Sequence, residues 1–427
     1  MNPRHFLHII TSLLLALTAS GAETTTLAPK PNIIWIMADD LGYGDLGCYG
    51  AKDIPTPHID SLAAGGVRCE TFYAAASTCS PSRASILSGL YPEALGIGGA
   101  LMGEGGLPAE AVTIAETLKA SGYTTGLIGK WHLGYEGETL PNRQGFDEFY
   151  GHRGGKIDYF THHDTAQKIK GSKDGKHDFY ENEKEIFPEG YSTDLFTERA
   201  VSFVDRHKAE PFFMFLSYNA PHYARPGVLQ APESYLKKFA REDPNKQRPI
   251  YAAMVSCMDD GIGKVLEAVK RNGLEENTII MFVSDNGGDP SNGGYNTPFS
   301  GMKWSLKEGG IRVPMIMKWP GHIPAGTTTK EILHMIDCYP TMLAAAGIPQ
   351  AAGAKIHGTN VLEVIEGKSG APLRPLYFGK DTVRMGKWKL LGTNLYDLEA
   401  DPQEKVNLAT QEPGVLAELQ AMIKSRP

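Results

Sequence analysis

This sequence has no excess of positively charged residues and few long apolar runs. Lys and Arg total 42 against 49 Asp and Glu, which gives a net charge of -7. A chain with this balance lacks the basic surface that nucleic-acid binding requires. The one extended apolar run is near the N-terminus and is too short to cross a bilayer. We therefore expect no nucleic-acid partner and no membrane span in the mature protein.

Cysteine is also scarce, with five in 427 residues. Their spacing matches no disulfide framework of a small secreted domain. If one of them, Cys79, is modified as argued below, the remaining four allow three pairings. Unpaired structural thiols fit the sequence equally well, so the pairing stays open for Cys48, Cys69, Cys257 and Cys338.

The first residues have the composition of an export signal. Arg4 precedes the mostly apolar stretch 7–18, and small residues follow at 20–22. This order predicts a signal peptide over residues 1–22 and an exported protein, periplasmic or secreted.

Strand and helix patterns alternate through most of the chain, which contains 41% hydrophobic and 21% charged residues. In the stretch 32–38, every residue after Asn32 is apolar, as in a strand buried on both faces of a parallel sheet. We predict an α/β catalytic domain over 23–348, with a large mostly parallel sheet flanked by helices, and a small α+β C-terminal subdomain over 349–427 with a short antiparallel sheet. The predicted strands are 32–38, 67–73, 123–128, 211–217 and 278–284, and the predicted helices are 57–64, 111–120, 194–207, 250–270, 337–346 and 413–423.

Residues 142–191 interrupt this alternation. The stretch is polar and rich in Gly, His and Lys. It is either an insertion that covers the site or a solvated loop.

Polar clusters follow the ends of the predicted strands, where ligands bind in open α/β sheets. Asp39 and Asp40 follow the first strand, and Asp285 and Asn286 follow the last. Their oxygen atoms suit Ca²⁺ or Mg²⁺ and not Zn²⁺. Adjacent carboxylates repel each other unless a cation or an arginine neutralises them. Each pair alone is also common in turns.

The stretch 77–89 contains Cys79, Pro81 and Arg83. Proline is favoured in the first helical turn, so we predict a helix from Pro81 to Leu87. Cys79 would then lie at the positive end of the helix dipole, near Arg83, where a thiol is acidified. An inert cysteine at a loop–helix junction is the alternative.

The string Cys79-x-Pro81-Ser82-Arg83 resembles the signature of the type I, formylglycine-dependent sulfatases, which are arylsulfatase-like members of the alkaline-phosphatase-like superfamily. The resemblance implies that Cys79 is oxidised to formylglycine by a formylglycine-generating or anaerobic sulfatase-maturating enzyme. It also implies one Ca²⁺, with Mg²⁺ possible, held by Asp39, Asp40, residue 79, Asp285 and Asn286.

A second string, Gly-Lys130-Trp-His132-Leu-Gly, resembles the second sulfatase signature, although Lys-x-His alone is more typical of a solvated loop. The family match assigns Lys130 to sulfate oxygens, His132 to the formylglycine hydrate and Arg83 to its oxyanion. His222 and Lys303 become sulfate ligands and alternative proton donors to the leaving oxygen. Lys307, Glu308 and Arg312 are interpreted as structural.

The resemblance implies a sulfatase that removes sulfate from a carbohydrate or aryl ester. A phosphate or phosphonate monoester hydrolase of the same superfamily is the first alternative, although the sequence lacks the extra ligands of a two-zinc site. A non-catalytic sulfated-glycan binder is the second, should Cys79 not mature. Candidate sugar contacts, each also compatible with a solvated surface position, are Lys156, His162, His163 and Lys380.

Overall fold

The computed structural model describes residues 30–165, 175–240, 242–350 and 354–426, so the predicted signal peptide lies outside the described residues. Strands are numbered in chain order. They are β1 (Asn32–Ala38), β2 (Val67–Cys69), β3 (Phe72–Tyr73), β4 (Thr124–Lys130), β5 (Glu148–His152), β6 (His163–Asp164), β7 (Lys176–His177), β8 (Tyr180–Glu181), β9 (Lys184–Glu185), β10 (Phe212–Ser217), β11 (Thr278–Ser284), β12 (Met315–Lys318), β13 (Thr327–Thr329), β14 (Leu333–His334), β15 (Leu376–Phe378), β16 (Thr382–Met385), β17 (Trp388–Leu391) and β18 (Asn394–Asp397).

The helices are numbered in the same way. They are α1 (Pro57–Ala64), α2 (Cys79–Ser88), α3 (Ile114–Ala120), α4 (Ser192–His207), α5 (Glu233–Lys238), α6 (Arg248–Arg271), α7 (Glu308–Ile311), α8 (Cys338–Ala345), α9 (Leu362–Ile365) and α10 (Pro413–Lys424). Among the described residues, no helix combines the length and the apolarity that a membrane span requires.

One mixed sheet organises the larger part of the chain. Within the described residues it has ten strands in the order β13-β2-β12-β11-β1-β10-β4-β5-β8-β9. Its centre, from β11 to β5, is parallel. Antiparallel strands β12 and β8 flank this centre. The predicted α/β class, with a large mostly parallel sheet, is confirmed.

Side chains of β1 alternate between two cores, one on each face of the sheet. Ile33, Trp35 and Met37 pack on one face with apolar residues of α2, α3 and α8. Ile34 and Ile36 pack on the other with residues of α1, α4 and α6. Helices on both faces explain why β1 has no polar alternation.

A separate four-stranded antiparallel sheet, β15-β16-β17-β18, lies near the C-terminus. Helix α10 packs on it, mainly on β16 and β17. Leu376 and Phe378 of β15 also pack against Tyr73 and Ile311 of the larger part. The predicted small subdomain with an antiparallel sheet is therefore present.

Several element boundaries differ from the sequence-based prediction. The predicted strand 67–73 is divided between β2 and β3, which belong to different sheets. The predicted helix 111–120 begins only at Ile114, because Thr113 caps it by accepting a hydrogen bond from the Glu116 amide. Within 142–191, β5, β8 and β9 join the main sheet, so part of this segment is structural. All five cysteines are free.

Candidate active site

The carboxyl ends of β1, β10 and β11 place three loops side by side. The amide of Asp39 donates to the carbonyl of Ala220 at 3.1 Å, and the amide of Asp285 donates to the carbonyl of Ala38 at 3.2 Å. These bonds continue the parallel register beyond the strands. The side chains of the three loops therefore converge on one point, which lies at the C-terminal edge of the sheet as expected.

Cys79 lies in the first turn of α2 and faces this point. The helix begins at Cys79 and not at Pro81, so the predicted start is wrong by two residues. The Ser82 hydroxyl bonds to both the amide and the carbonyl of Ala76, which ties the loop to the helix. The Cys79 Sγ lies 3.5 Å from Oδ1 of Asp39.

The expected acidification of the thiol is wrong. Cys79 is only 2% exposed. Burial raises its pKa to about 12 and outweighs the opposing charges of Lys130 and Lys303. An unmodified Cys79 is therefore a neutral thiol, not a thiolate nucleophile.

Arg83 joins α2 to the ends of two strands. Its Nε and one terminal nitrogen bond to Oδ2 of Asp285 at 3.0 and 2.9 Å. Its other terminal nitrogen donates to the Ser217 hydroxyl at 2.6 Å. The guanidinium is 1% exposed and lies 3.7 Å from Asp39. It neutralises part of the buried negative charge there.

Two lysines form ion pairs with the adjacent carboxylates of Asp39 and Asp40. Lys130 Nζ donates to Oδ2 of Asp39 at 2.6 Å. Lys303 Nζ donates to Oδ2 of Asp40 at 2.7 Å. Both ammonium groups are almost completely buried. The paired carboxylates thus have cationic partners, as their repulsion requires.

His222 completes this side of the site. Its Nε2 lies 3.1 Å from Lys303 Nζ and 3.5 Å from Oδ2 of Asp40. Its Nδ1 donates to the carbonyl of Tyr223 at 2.8 Å, which leaves Nε2 as the acceptor from Lys303. Burial, reinforced by nearby lysine charges, lowers the pKa of His222 well below its ordinary value.

The two carboxylates at this point are ligands that suit a hard cation. Oxygen or sulfur atoms of Asp39, Asp40 and Cys79 and a nitrogen of His222 lie within 4.8 Å of one another. The side-chain nitrogen Nδ2 of Asn286 donates to Oδ1 of Asp40 at 2.8 Å. This orientation leaves Oδ1 of Asn286 buried, with no hydrogen-bond partner among the described residues. A divalent cation would supply that partner.

His132 lies beside this group but faces a different loop. Its Nε2 bonds to the carbonyl of Leu101 at 3.0 Å. Its Nδ1 is buried with no hydrogen-bond partner among the described residues. Burial lowers its pKa well below the ordinary value, and Lys130 lowers it further. The imidazole is therefore neutral and able to accept a proton or a hydrogen bond.

The site includes residues that the sequence analysis missed. Ser217 bridges Arg83 and the carbonyl of Lys130, to which it donates at 2.7 Å. Ser284 accepts from the amide of Leu41 and donates to the carbonyl of Asn286. Both serines are the last residues of buried strands, β10 and β11. A serine at the end of an apolar run was the sequence feature that could have identified them. Tyr223 and Trp304, neighbours of His222 and Lys303, were also missed.

The candidate sugar contacts are scattered. Lys156 is half-buried, with its Nζ 5.2 Å from the ring centre of Tyr223. His162 is 1% exposed and bonds to the carbonyl of Gly190 at 3.1 Å. His163 is half-buried in β6, and Lys380 is exposed between β15 and β16. The structure makes His162 a poor ligand for a sugar.

Comparison with known proteins identifies the family. A protein-family model described as Sulfatase matches residues 31–348. Arylsulfatase A of Homo sapiens is 34% identical over 96% of this chain and 84% of the relative. N-acetylgalactosamine-6-sulfatase of Sus scrofa is 33% identical over 87% of this chain and 73% of the relative.

A solved structure is also similar to this chain over most of its length. Ps i-CgsB is 38% identical, with a TM-score of 0.86 over 93% of this chain and 92% of that chain. A second structure of that protein contains k-i-k-neocarrahexaose, with the same score and coverage. The matched range carries both signature strings and the loops that meet at Cys79. The chain thus belongs to the sulfatase family of sulfuric ester hydrolases, in the alkaline-phosphatase-like superfamily.

Proposed function

We propose that this sulfatase removes sulfate from carbohydrate esters, with residue 79 as formylglycine and with one bound calcium ion. The observation that carries the proposal is the convergence of Asp39, Asp40, Asn286 and Lys303 on Cys79. Oxygen ligands, cationic groups and a modifiable cysteine are all buried at one point. This arrangement supports hydrolysis of a small tetrahedral anion.

The two lysines are assigned to the sulfate group. Lys130 bonds to Asp39 and Lys303 bonds to Asp40, and both ammonium charges act on Cys79, so an anion bound at residue 79 is attracted by both lysines. Fixed charges in a buried site stabilise the negative charge that develops on the sulfate oxygens, and they need no reorganisation.

The proton for the leaving oxygen comes from the Lys303–His222 pair. The Lys303 ammonium donates to Nε2 of His222 in this structure. Both side chains are almost fully buried near Cys79. Because Nε2 of His222 is an acceptor, the proton originates on the Lys303 ammonium and reaches the ester oxygen directly or through His222. His132 is the base, because its imidazole is neutral and its Nδ1 is buried without a partner among the described residues.

Asp39, Asp40, Asp285 and Asn286 would hold the calcium ion, together with residue 79. When bound, the ion polarises oxygen atoms at the reacting centre, and the aldehyde hydrate of residue 79 supplies the nucleophilic hydroxyl. Arg83 orients two of these positions, since it contacts Asp285 and lies 3.7 Å from Asp39.

The names of the relatives support a carbohydrate substrate. Sus scrofa N-acetylgalactosamine-6-sulfatase is named for a sugar, and Ps i-CgsB was crystallised with k-i-k-neocarrahexaose. We assign a sulfated glycan to this chain on that basis. Export through the N-terminal signal, and maturation by a formylglycine-generating or anaerobic maturating enzyme, belong to the same proposal.

Replacement of Cys79 tests the mechanism. Cys79→Ala is expected to abolish sulfate release from sulfated oligosaccharides and from an aryl sulfate, measured by ion chromatography. Cys48→Ala, which removes a half-buried free thiol elsewhere, is the matched control and should retain activity. Wild-type peptide 69–83 should lack one sulfur atom by mass spectrometry. Unchanged release by Cys79→Ala would refute the proposal.

Substrate choice is tested with paired esters of one phenol. The proposal predicts faster release of sulfate than of phosphate or methylphosphonate from the same leaving group. A higher kcat/KM for the phosphorus esters would contradict the proposal and indicate a phosphate or phosphonate hydrolase.

A further inference from the structure

The side chains that we assign to the sulfate ester are buried. Cys79, Lys130, His222 and Lys303 are all 5% exposed or less. The remainder of any substrate must therefore lie on the surface around the opening. The side chains of that surface decide which alcohol is accepted.

Trp304 is a large apolar side chain at this opening. It follows Lys303 in a turn, and while Lys303 points inward, Trp304 is 53% exposed. Its amide donates to the carbonyl of Ser77 at 2.9 Å, in the loop that precedes Cys79. Its φ of +70° lies in the left-handed region, which disfavours side chains larger than glycine. An exposed indole held in strained backbone indicates a functional role.

Tyr223 is a second aromatic side chain beside Lys303. The Lys303 Nζ is 5.3 Å from the ring centre of Trp304 and 5.7 Å from that of Tyr223. The Tyr223 ring also packs on the imidazole of His222, with centres 4.3 Å apart. Both aromatic rings therefore lie near the ammonium group that we assign to sulfate.

Lys156 extends this surface and adds a positive charge. Its Nζ lies 5.2 Å from the ring centre of Tyr223. The preceding residue, Gly155, packs so closely on His132 that an added Cβ would be 2.5 Å from the imidazole Nε2. The segment is thus fixed against the site. Burial lowers the pKa of Lys156, and the charges of Lys303 and Lys130 lower it further.

We propose that Trp304, Tyr223 and Lys156 form a saccharide subsite that takes a pyranose ring carrying a second anionic group, in addition to the sulfate that is removed. The inference rests on the proposed function. The apolar face of a pyranose packs on an aromatic ring, and ligand pockets are commonly lined by aromatic side chains. The ammonium of Lys156 pairs with a sulfate or carboxylate on the same or the adjacent sugar.

Equilibrium binding tests the subsite without turnover. Isothermal titration calorimetry of the Cys79→Ala chain uses one disaccharide in its monosulfated and disulfated forms. Adding Trp304→Ala is expected to weaken binding of both forms by about tenfold or more. Adding Lys156→Gln is expected to weaken binding of the disulfated form by about tenfold and to affect the monosulfated form much less.

Matched controls separate the subsite from general effects. Leu373→Ala removes another exposed apolar side chain, and Lys237→Gln removes another exposed lysine charge. Both should leave the affinities within twofold of the parent chain. Trp304→Phe keeps an aromatic face and should retain most of the affinity lost in Trp304→Ala. Thermal unfolding of each variant verifies that it is folded.

The results distinguish this inference from the proposed function. Binding by Trp304→Ala and Trp304→Phe within twofold of the parent would overturn the aromatic platform. Equal losses for both saccharides in Lys156→Gln would overturn the second anion site. If the matured wild-type chain releases no sulfate but saccharide binding still depends on Trp304, the proposed function fails and the subsite stands.

Discussion

Individual residues at the site adopt backbone conformations that most side chains avoid. Asp40, His132 and Trp304 all have φ between 58° and 70°. Each such residue costs about 1–2 kcal/mol relative to a right-handed conformation. Their amides are held by Oδ1 of Asp285 and by the carbonyls of Arg153 and Ser77, respectively. The unfavourable backbone conformations of these three residues lower the stability of the fold and direct their side chains to the site.

Asn286 gives a residue-scale prediction about metal binding. Calcium at a hundredfold excess over its Kd should stabilise the wild-type chain by about 2.7 kcal/mol, and a chelator should reverse this. Asn286→Ala removes the unpartnered Oδ1 and the bond to Asp40. We expect it to weaken calcium binding at least about tenfold, which reduces the stabilisation by about 1.4 kcal/mol at the same calcium concentration.

The measurement is thermal unfolding with and without calcium. Asn272→Ala is the control, because Asn272 bonds to Asp205 on the surface, and it should keep the full calcium-dependent shift. An equal shift in Asn286→Ala and wild type would remove Asn286 from the proposed ligand set.

The sequence was most informative about residues that carry distinctive chemistry. Arg83 and Lys130 stand in strings that resemble known signatures, and the same resemblance assigned Asp39, Asp40 and Lys303. The structure brings these five residues together at Cys79. Ser217, Tyr223 and Trp304 could not be found in the same way. Their roles depend on which loops meet in space, which no local pattern encodes.

At the scale of elements, the short helix α7 connects the active site to the C-terminal sheet. Its first residue, Glu308, follows the Lys303 turn by five positions and is fully buried. Its carboxylate bonds to Lys389 of β17 at 2.9 Å and to the hydroxyl of Tyr73 at 2.6 Å. Lys389 also contacts Glu404 at 2.9 Å. The C-terminal sheet therefore supports the segment that carries Lys303.

Glu308 gives a prediction of pH-dependent stability. Burial favours its neutral form, but Lys389, Arg384 and Arg312 lower its pKa to about 2 from an ordinary 4.5. A lowered pKa stabilises the folded state above the unfolded value, and this stabilisation is lost as pH falls from about 4.5 towards 2. Glu308→Gln should therefore cost about 3–5 kcal/mol at pH 7, and less at pH 3.

Urea denaturation at several pH values measures this difference. Burial raises the pKa of Glu404 and Glu308 raises it further, so Glu308→Gln also alters the titration of Glu404. Repeating the comparison with Glu404→Gln present in both proteins isolates the contribution of Glu308. Glu275→Gln is the control, since Glu275 forms a half-exposed pair with Lys318 at 3.6 Å. It should cost less than about 1 kcal/mol at every pH. A constant cost of Glu308→Gln across this range would contradict the prediction.

Long apolar elements were predictable from the sequence, and short ones were not. β1 and β11 match their predicted bounds, since a continuous apolar run of five or six residues beside a strand end has few alternatives. β12 and β5 were missed. β5 reads Glu-Phe-Tyr-Gly-His and is a strand because its backbone pairs with β4 and β8. Tertiary pairing, which no local propensity reports, determines such segments.

At the scale of the whole molecule, the two parts of the chain share a core. Leu376 and Phe378 of the C-terminal sheet are buried against Tyr73 and Ile311. The charges of Glu308 and Lys389 pair across the same contact. An interface that is both apolar and ion-paired links the unfolding of the two parts.

We therefore predict a single unfolding transition. Differential scanning calorimetry of the mature chain should give a calorimetric enthalpy equal to the van't Hoff enthalpy. Calcium, bound only in the larger part, should shift the whole transition to higher temperature. Two transitions, of which only one responds to calcium, would show that the C-terminal sheet unfolds independently.

The order of strands in the main sheet also affects solubility. Its two outer strands are β13, with three residues, and β9, with the two exposed charged residues Lys184 and Glu185. An outer strand exposes unpaired amide and carbonyl groups that can recruit a second polypeptide. Here those rows are very short, and one of them carries charge. The broad parallel centre is thereby shielded from edge-to-edge aggregation at high protein concentration.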